Sequence, residues 1–250
     1  MTQRTWLITG VSSGFGREMT EQLLQRGDRV VGTVRKRKAV AGLAEQYPEK
    51  FRAELLDVTD AAATKAMVDR AFGAMGRIDV VISNAGYGLF GAAEELSDAQ
   101  VEQMIATNLM SSIQLIRAAL PHLRQQGGGR IIQISTYGGQ VAYPGNSMYH
   151  ATKWGIEGFV ESVAQEVALF HATPAHAFMK MLDPKNGLAP GDPVRMAARI
   201  IETVDKEPAP LRMVLGSQAL ESTLSTLKQR VADFETQREF ANSTDFLPGE

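Results

Sequence analysis

Short apolar runs alternate along the chain with longer stretches in which apolar residues recur at helical spacing. The first run, at residues 6–8, precedes a segment that places Met19, Leu23 and Leu24 on one helical face. Such runs between amphipathic stretches are typical of buried parallel strands joined by crossover helices. The pattern predicts a single α/β domain over residues 1–250, with a doubly wound, mostly parallel sheet flanked by helices on both faces. The later runs of this kind end at Val34, Asp57, Ile82 and Ile134.

The charge balance and the lack of cysteine narrow the possible chemistry. Lys and Arg number 26 against 28 Asp and Glu, for a net charge of −2, so we expect no nucleic-acid partner. The chain has no Cys, which excludes disulfides and thiolate sites, and its four His are not grouped as metal ligands. The apolar run near the N-terminus is too short for a signal sequence or a membrane span. We therefore expect a cytoplasmic protein without a metal or a membrane partner.

The first predicted strand leads into a glycine-rich turn that opens a helix. Glycines let a backbone approach a diphosphate closely, and a helix N-terminus offers N–H groups and a positive dipole end. The alternative is an ordinary turn, but the position between a strand and an amphipathic helix favours dinucleotide binding. The candidate residues are Gly10, Ser12, Ser13, Gly14, Phe15 and Gly16.

Basic residues follow the second predicted strand, where enzymes that prefer NAD often carry a carboxylate for the ribose hydroxyls. Arg35 comes first and Lys36 second. A guanidinium binds a phosphate well, so this position favours NADP(H) over NAD(H), with Arg35 as the first candidate for the 2′-phosphate. The alternative is a solvated run of charges at a helix start.

The third and fourth predicted strands end in residues suited to the rest of a dinucleotide. Asp57 is a candidate to bind an adenine amino group, and Val58 to pack on the ring; capping of the next helix is the alternative for Asp57. Asn84, Ala85 and Gly86 would let the backbone approach a ribose, or would simply form a tight turn.

The most informative pattern is Tyr149 and Lys153, four residues apart on a predicted helix and therefore on one face. A free phenol ionises with a pKa of about 10, and a nearby ammonium favours its phenolate form. Tyr149 is thus a candidate to give a proton to a carbonyl oxygen or to take it back. The alternative is that Tyr149 and Lys153 are simply two surface residues of a helix. Upstream, Ser135 and Thr136 end the fifth predicted strand with hydroxyls suited to bind a substrate oxygen.

Taken in order, these motifs resemble the short-chain dehydrogenase/reductase family over about the first 170 residues. The resemblance implies a Rossmann fold, a nicotinamide cofactor, a small-molecule carbonyl or alcohol substrate, and a homodimer or homotetramer. It also implies that Asn108 holds a proton-relay water, that Tyr149 is the acid/base, and that Lys153 stabilises its phenolate and holds the nicotinamide ribose. The family's hydroxyl residue precedes the tyrosine by thirteen positions, which is Thr136 rather than Ser135.

The resemblance weakens after Phe170, where the family has a sixth strand ending in Pro-Gly. No run rich in Val or Ile follows, so we expect this strand and the substrate loop to be missing or shortened. The alternative is a strand at residues 177–182, which would place Pro184 and Gly187 beside the nicotinamide, although Lys180 argues against its burial. Further on, an edge strand at 211–215 and a long helix from Ser217 are predicted.

Two functions are compatible with these residues. The first is an oxidoreductase that prefers NADP(H) and interconverts a ketone or aldehyde with an alcohol by hydride transfer. The second is a nicotinamide-binding sensor or scaffold that has lost turnover, which Thr136 in place of serine would favour. The Tyr149 and Lys153 pair favours the enzyme.

Overall fold

The computed structural model describes residues 2–140, 142–169 and 214–244. Contacts divide the chain into two units, residues 1–168 and 169–250. The organisation as one domain over the whole chain stays a prediction. The candidate strand at 177–182, Pro184, Gly187 and residues 211–213 lie outside the described residues.

The first unit is built on a parallel sheet of five strands in the order β3-β2-β1-β4-β5. Strand β1 pairs with β2 on one side and β4 on the other, so that Leu7 lies between Val31 and Val81. This arrangement confirms the predicted doubly wound fold. The strands are β1 (Thr5–Ile8), β2 (Arg29–Val34), β3 (Phe51–Leu55), β4 (Val80–Ser83) and β5 (Arg130–Gln133).

Helices alternate with these strands along the chain. A π-helical turn, Ala106–Met110, links α4 to α5, and a 3₁₀ turn, Tyr137–Gly139, follows β5. The helices are α1 (Gly14–Arg26), α2 (Ala41–Gln46), α3 (Ala61–Met75), α4 (Asp98–Ile105), α5 (Ser111–Gln125) and α6 (Ser147–Leu169).

Two apolar clusters fill the space above and below the sheet. Consecutive strand side chains point to opposite faces, so Leu7 packs in a cluster with Val68 and Leu115, and Ile8 packs in a second cluster with Leu24. Helices α3 and α5 therefore cover one face and α1 covers the other. Burial on both faces explains why the strands read as continuous apolar runs rather than as alternating ones.

In the second unit, the structure describes α7 (Ser217–Glu235) and α8 (Arg238–Asn242). The helix α7 begins at the predicted residue. Its apolar positions Leu220, Leu224, Leu227 and Val231 recur at helical spacing and are exposed within this unit.

Candidate active site

A cleft of about 970 Å³ opens at the carboxyl ends of the strands, where the strand order reverses between β1 and β4. This volume is at the upper end of the range of cofactor and substrate sites, about 300–1,000 Å³. Most of the predicted site residues line this cleft. Gly16, Lys36 and Asn108 lie behind or beside its wall and do not line it. Those that line it are Gly10, Ser12, Ser13, Gly14, Phe15, Arg35, Asp57, Val58, Asn84, Ala85, Gly86, Ser135, Thr136, Tyr149 and Lys153.

The glycine-rich turn is shaped to let a ligand approach its backbone. Gly10 and Gly14 have positive φ angles of 74° and 56°, a conformation that side-chain-bearing residues rarely adopt. Nothing lies within 4 Å of the position of a Cβ on Gly14, so the space beside it is open to the cleft. Because α1 begins at Gly14, its N-terminal N–H groups lie at the same place. The turn therefore fits a diphosphate.

Gly16 and Asn84 hold this turn from behind. A Cβ on Gly16 would come within 2.3 Å of the Gly10 carbonyl oxygen and 2.5 Å of Asn84 Nδ2. Asn84 Nδ2 donates to the carbonyl oxygens of Thr9 and Gly10 at 2.9 and 3.2 Å. The side chain of Asn84 thus ties the end of β4 to the glycine turn after β1, and Gly16 makes room for that contact.

Arg35 and Asp57 lie where β2 and β3 end, beyond the glycine turn. Hydrogen bonds from the backbone and hydroxyl of Thr59 hold the pKa of Asp57 below its usual value, with a smaller contribution from the charge of Arg35. The alternative role of Asp57 as a helix cap belongs instead to Asp60, which accepts from the backbone of Ala63 at 2.8 Å. The side chains of Arg35 and Asp57 therefore both line the cleft.

The other basic residues of this run are placed differently. Lys36 is exposed and precedes a 3₁₀ turn, Arg37–Val40, outside the cleft wall. The Arg37 guanidinium donates to the carbonyl oxygen of Ala53 at 2.7 Å, which binds it to the fold. Among residues 35–38, all of which the structure describes, Arg35 is the one that lines the cleft.

Tyr149 and Lys153 lie on one face of α6, at the end of the cleft formed by β4 and β5. Lys153 is only 6% exposed, and its Nζ lies 5.8 Å from the centre of the Tyr149 ring. Nζ donates to the carbonyl oxygen of Ile134 at 3.0 Å, which fixes the amine beside the tyrosine. Burial lowers the pKa of Lys153, and the charge of Glu157 counteracts this shift. In this arrangement, a protonated Lys153 amine would favour the phenolate form of Tyr149.

The two candidate hydroxyls after β5 differ in their partners. Ser135 Oγ donates to the carboxylate of Glu157 at 2.6 Å. Thr136 also lines the cleft, and its carbonyl oxygen accepts from the backbone of Gly139 at 2.8 Å. The proton of Ser135 is thus used within the fold, and the role of Thr136 as the hydroxyl that meets a substrate stays a prediction.

Asn108 is buried in the π-helical turn Ala106–Met110 and clamps a loop. Its Oδ1 accepts from the backbone N of Tyr87 at 3.0 Å, and its Nδ2 donates to the Tyr87 carbonyl oxygen at 2.7 Å. Both ends of the amide thus hold the segment that follows Gly86. In this structure Asn108 supports the cleft through Tyr87, and a water-holding role stays a prediction.

Some residues of the site were not predicted from the sequence. Tyr87, Gln103 and Thr107 also line the cleft, and Gln103 Nε2 donates to Thr107 Oγ1 at 3.0 Å. Glu157 lies behind the cleft wall, where its carboxylate accepts a hydrogen bond from Ser135 Oγ. Its spacing offered a signal, because positions 149, 153 and 157 repeat every four residues on one helix face.

The part of the chain that the structure describes contains no group of three or more metal-ligating side chains. None of its helices is both long and apolar enough to span a membrane.

Comparison with known proteins gives a consistent family. The family model for short chain dehydrogenases matches residues 4–171. Oxidoreductase BOA17 of Botryotinia fuckeliana is 32% identical over 87% of this chain and 90% of its own length. The 3-ketodihydrosphingosine reductase of Bacteroides thetaiotaomicron is 37% identical over 66% of this chain, but the match spans only 59% of that reductase.

Solved structures agree with these relatives. A short-chain dehydrogenase from Streptomyces avermitilis has a TM-score of 0.66 and 33% identity, covering 98% of this chain and 100% of that protein. ElxO, solved with NADP bound, has a TM-score of 0.63 and 28% identity, covering 67% of this chain and 69% of its own. The family model and the solved structures thus agree for residues 4–171, both in sequence and in fold.

Proposed function

The chain belongs to the short-chain dehydrogenase family, and from this premise we propose that it reduces a ketone or aldehyde to an alcohol, or performs the reverse reaction, with NADP(H). Membership makes it an oxidoreductase of a family that binds a nicotinamide cofactor. The observation that carries the proposal is the buried Lys153 side chain beside Tyr149, in the same cleft as the glycine-rich turn. A ketone substrate is further supported by the name of the reductase from Bacteroides thetaiotaomicron.

The residues that would hold the cofactor run along the cleft. The turn at Gly10 and Gly14 would bind the diphosphate, and Arg35 would bind a 2′-phosphate. Asp57 and Val58 would contact the adenine, and Asn84, Ala85 and Gly86 a ribose. Lys153 would bind the ribose next to the nicotinamide, which places the reacting end beside Tyr149.

Three side chains would carry out the proton chemistry. When bound, the nicotinamide cofactor would supply the hydride that the carbonyl carbon accepts. Tyr149 gives its hydroxyl proton to the carbonyl oxygen, which completes the alcohol, and the Lys153 ammonium stabilises the phenolate that remains. The Thr136 hydroxyl donates a hydrogen bond to the same carbonyl oxygen and stabilises the negative charge that develops on this oxygen. In the oxidation direction each transfer is reversed.

Arg35 should decide the preference for the phosphorylated cofactor. In Arg35→Ala, we expect NADPH binding to weaken about ten- to a hundredfold, because a charge-assisted hydrogen bond contributes about 1.5–3 kcal/mol. NADH binding should stay unchanged, because NADH lacks the 2′-phosphate. Titration of both cofactors by fluorescence measures the two affinities.

Lys38→Ala is the matched control, since Lys38 is exposed in the same basic run but does not line the cleft. Its affinities for both cofactors should equal those of the unmodified protein. Equal weakening of NADPH and NADH in Arg35→Ala would show that Arg35 does not read the 2′-phosphate.

The function itself is tested by mixing the protein with NADPH and a panel of ketones and aldehydes and following NADPH consumption. The proposal expects consumption with at least one carbonyl compound, and formation of the corresponding alcohol. Cofactor binding without consumption across a broad panel would instead support a nicotinamide-binding sensor or scaffold. Assembly as a homodimer or homotetramer and a cytoplasmic location stay predictions from the sequence.

A further inference from the structure

Glu157 is the carboxylate next to the reactive end of the cleft, one helical turn after Lys153 on α6. Residues 149, 153 and 157 share one face of this helix. The Glu157 carboxylate accepts hydrogen bonds from Ser135 Oγ at 2.6 Å and from the side-chain amide of Gln140. It therefore binds both ends of the segment 135–140, which contains Thr136.

The backbone of this segment packs directly on the same carboxylate. A Cβ on Gly139 would come within 2.0 Å of Glu157 Oε1, so a larger residue at this position would displace the carboxylate. Nearby, Trp154 Nε1 donates to the carbonyl oxygen of Gly138 at 2.8 Å. The turn Tyr137–Gly139 is thus attached to α6 by polar contacts, and Glu157 supplies the charged one.

We propose that Glu157 is a positioning residue of this active site. Its carboxylate fixes the segment 135–140 against α6, and thereby holds the Thr136 hydroxyl and the Lys153 ammonium in register with Tyr149. This inference rests on the proposed function. Ser135 belongs to the same device, because its hydroxyl provides the contact on the β5 side.

The charges around Lys153 agree with this role. Burial lowers the pKa of Lys153, and the charge of Glu157 opposes this lowering. Tyr149 lies on the same helix face, and Arg35 and Asp57 line the cleft at the distant ends of β2 and β3. His150, the next residue after the tyrosine, accepts from the backbone of Tyr143 at 3.3 Å on the other side of the segment.

The test is the pH dependence of kcat/KM for carbonyl reduction in Glu157→Gln. This change keeps the size of the side chain and its ability to accept from Ser135, but removes the charge. Lys153 then loses its proton more easily. The pH above which kcat/KM falls, called here the alkaline limit, should therefore move to lower pH by about 0.5–1 unit. The pH dependence of NADPH binding, followed by fluorescence, should move in the same direction.

Glu166→Gln provides the matched control, because Glu166 is an exposed glutamate on the same helix, bonded to Ser162. Its pH profile should equal that of the unmodified protein. Glu157→Asp keeps the charge and should retain the original alkaline limit even if kcat falls, which separates the charge from the fit of the side chain.

A double-mutant cycle tests the positioning step. Ser135→Ala and Glu157→Ala each remove one partner of the hydrogen bond between Ser135 and Glu157, so their effects on kcat should be non-additive in the double variant. Additive effects, or a Glu157→Gln variant with unchanged kcat and pH profile, would overturn the inference even if thermal stability falls. Lack of turnover in the unmodified protein would instead overturn the proposed function, so the two failures are distinguishable.

Discussion

Replacement of Tyr149 by phenylalanine should lower kcat by about 10²–10⁴-fold, the usual contribution of a positioned general acid. The change removes only the hydroxyl, and the ring keeps its place beside Lys153 on α6. NADPH binding should therefore remain, because the glycine turn and Lys153 are untouched. Steady-state kinetics with an accepted carbonyl substrate and a fluorescence titration with NADPH measure the two quantities.

Tyr143→Phe is the matched control for this experiment. Tyr143 is 46% exposed, near Tyr149 in sequence, and does not line the cleft. Its loss of a hydroxyl should leave kcat unchanged. If Tyr149→Phe kept full turnover, proton transfer would have to come from another group, and the assignment of the acid/base would be wrong.

Replacement of Gly16 by alanine should damage both the fold and cofactor binding. The new Cβ would meet the Gly10 carbonyl oxygen at 2.3 Å and Asn84 Nδ2 at 2.5 Å, and Asn84 Nδ2 is held in place by hydrogen bonds to the Thr9 and Gly10 carbonyl oxygens. Forcing such a contact costs about 1–3 kcal/mol or more. Displacement of Gly10 would also spoil the diphosphate turn, so we expect NADPH affinity to fall about tenfold or more, equivalent to 1.4 kcal/mol.

Gly73→Ala gives the opposite result for the same chemical change. Gly73 lies inside α3, and nothing approaches within 4 Å of its Cβ position. This variant should be more stable by about 0.5–1 kcal/mol, because alanine favours a helix, and should bind NADPH normally. Thermal unfolding of the two variants side by side measures the contrast. A Gly16→Ala protein as stable and as competent to bind as Gly73→Ala would contradict the tight packing described for the turn.

The order of strands and helices was predictable because burial on both faces leaves a strong local signal. The apolar runs at β1, β2 and β5 match the observed strands to within two residues. The boundaries were less exact at β3, which ends at Leu55 rather than at Asp57, because the last predicted residues already turn toward α3. That difference leaves Asp57 beyond the strand, where it bonds to Thr59 and still lines the cleft.

Contacts between distant residues were harder to derive from the sequence. Asn108 was identified by its family position, but its clamp on Tyr87 depends on how the π-helical turn packs against the loop after β4. Likewise, Ser135 and Thr136 both carry hydroxyls, and the choice between them depends on which one meets Glu157. Such pairings form only when separate elements come together, so no local pattern specifies them.

The most direct test of the dinucleotide site is a crystal structure of the protein with NADP⁺ bound. We expect the diphosphate at the turn of Gly10 and Gly14, the 2′-phosphate at Arg35, and the nicotinamide ribose within hydrogen-bond distance of Lys153. A nicotinamide ring located at the Arg35 end, away from Tyr149, would contradict the proposed chemistry, as would a diphosphate bound outside the glycine-rich turn.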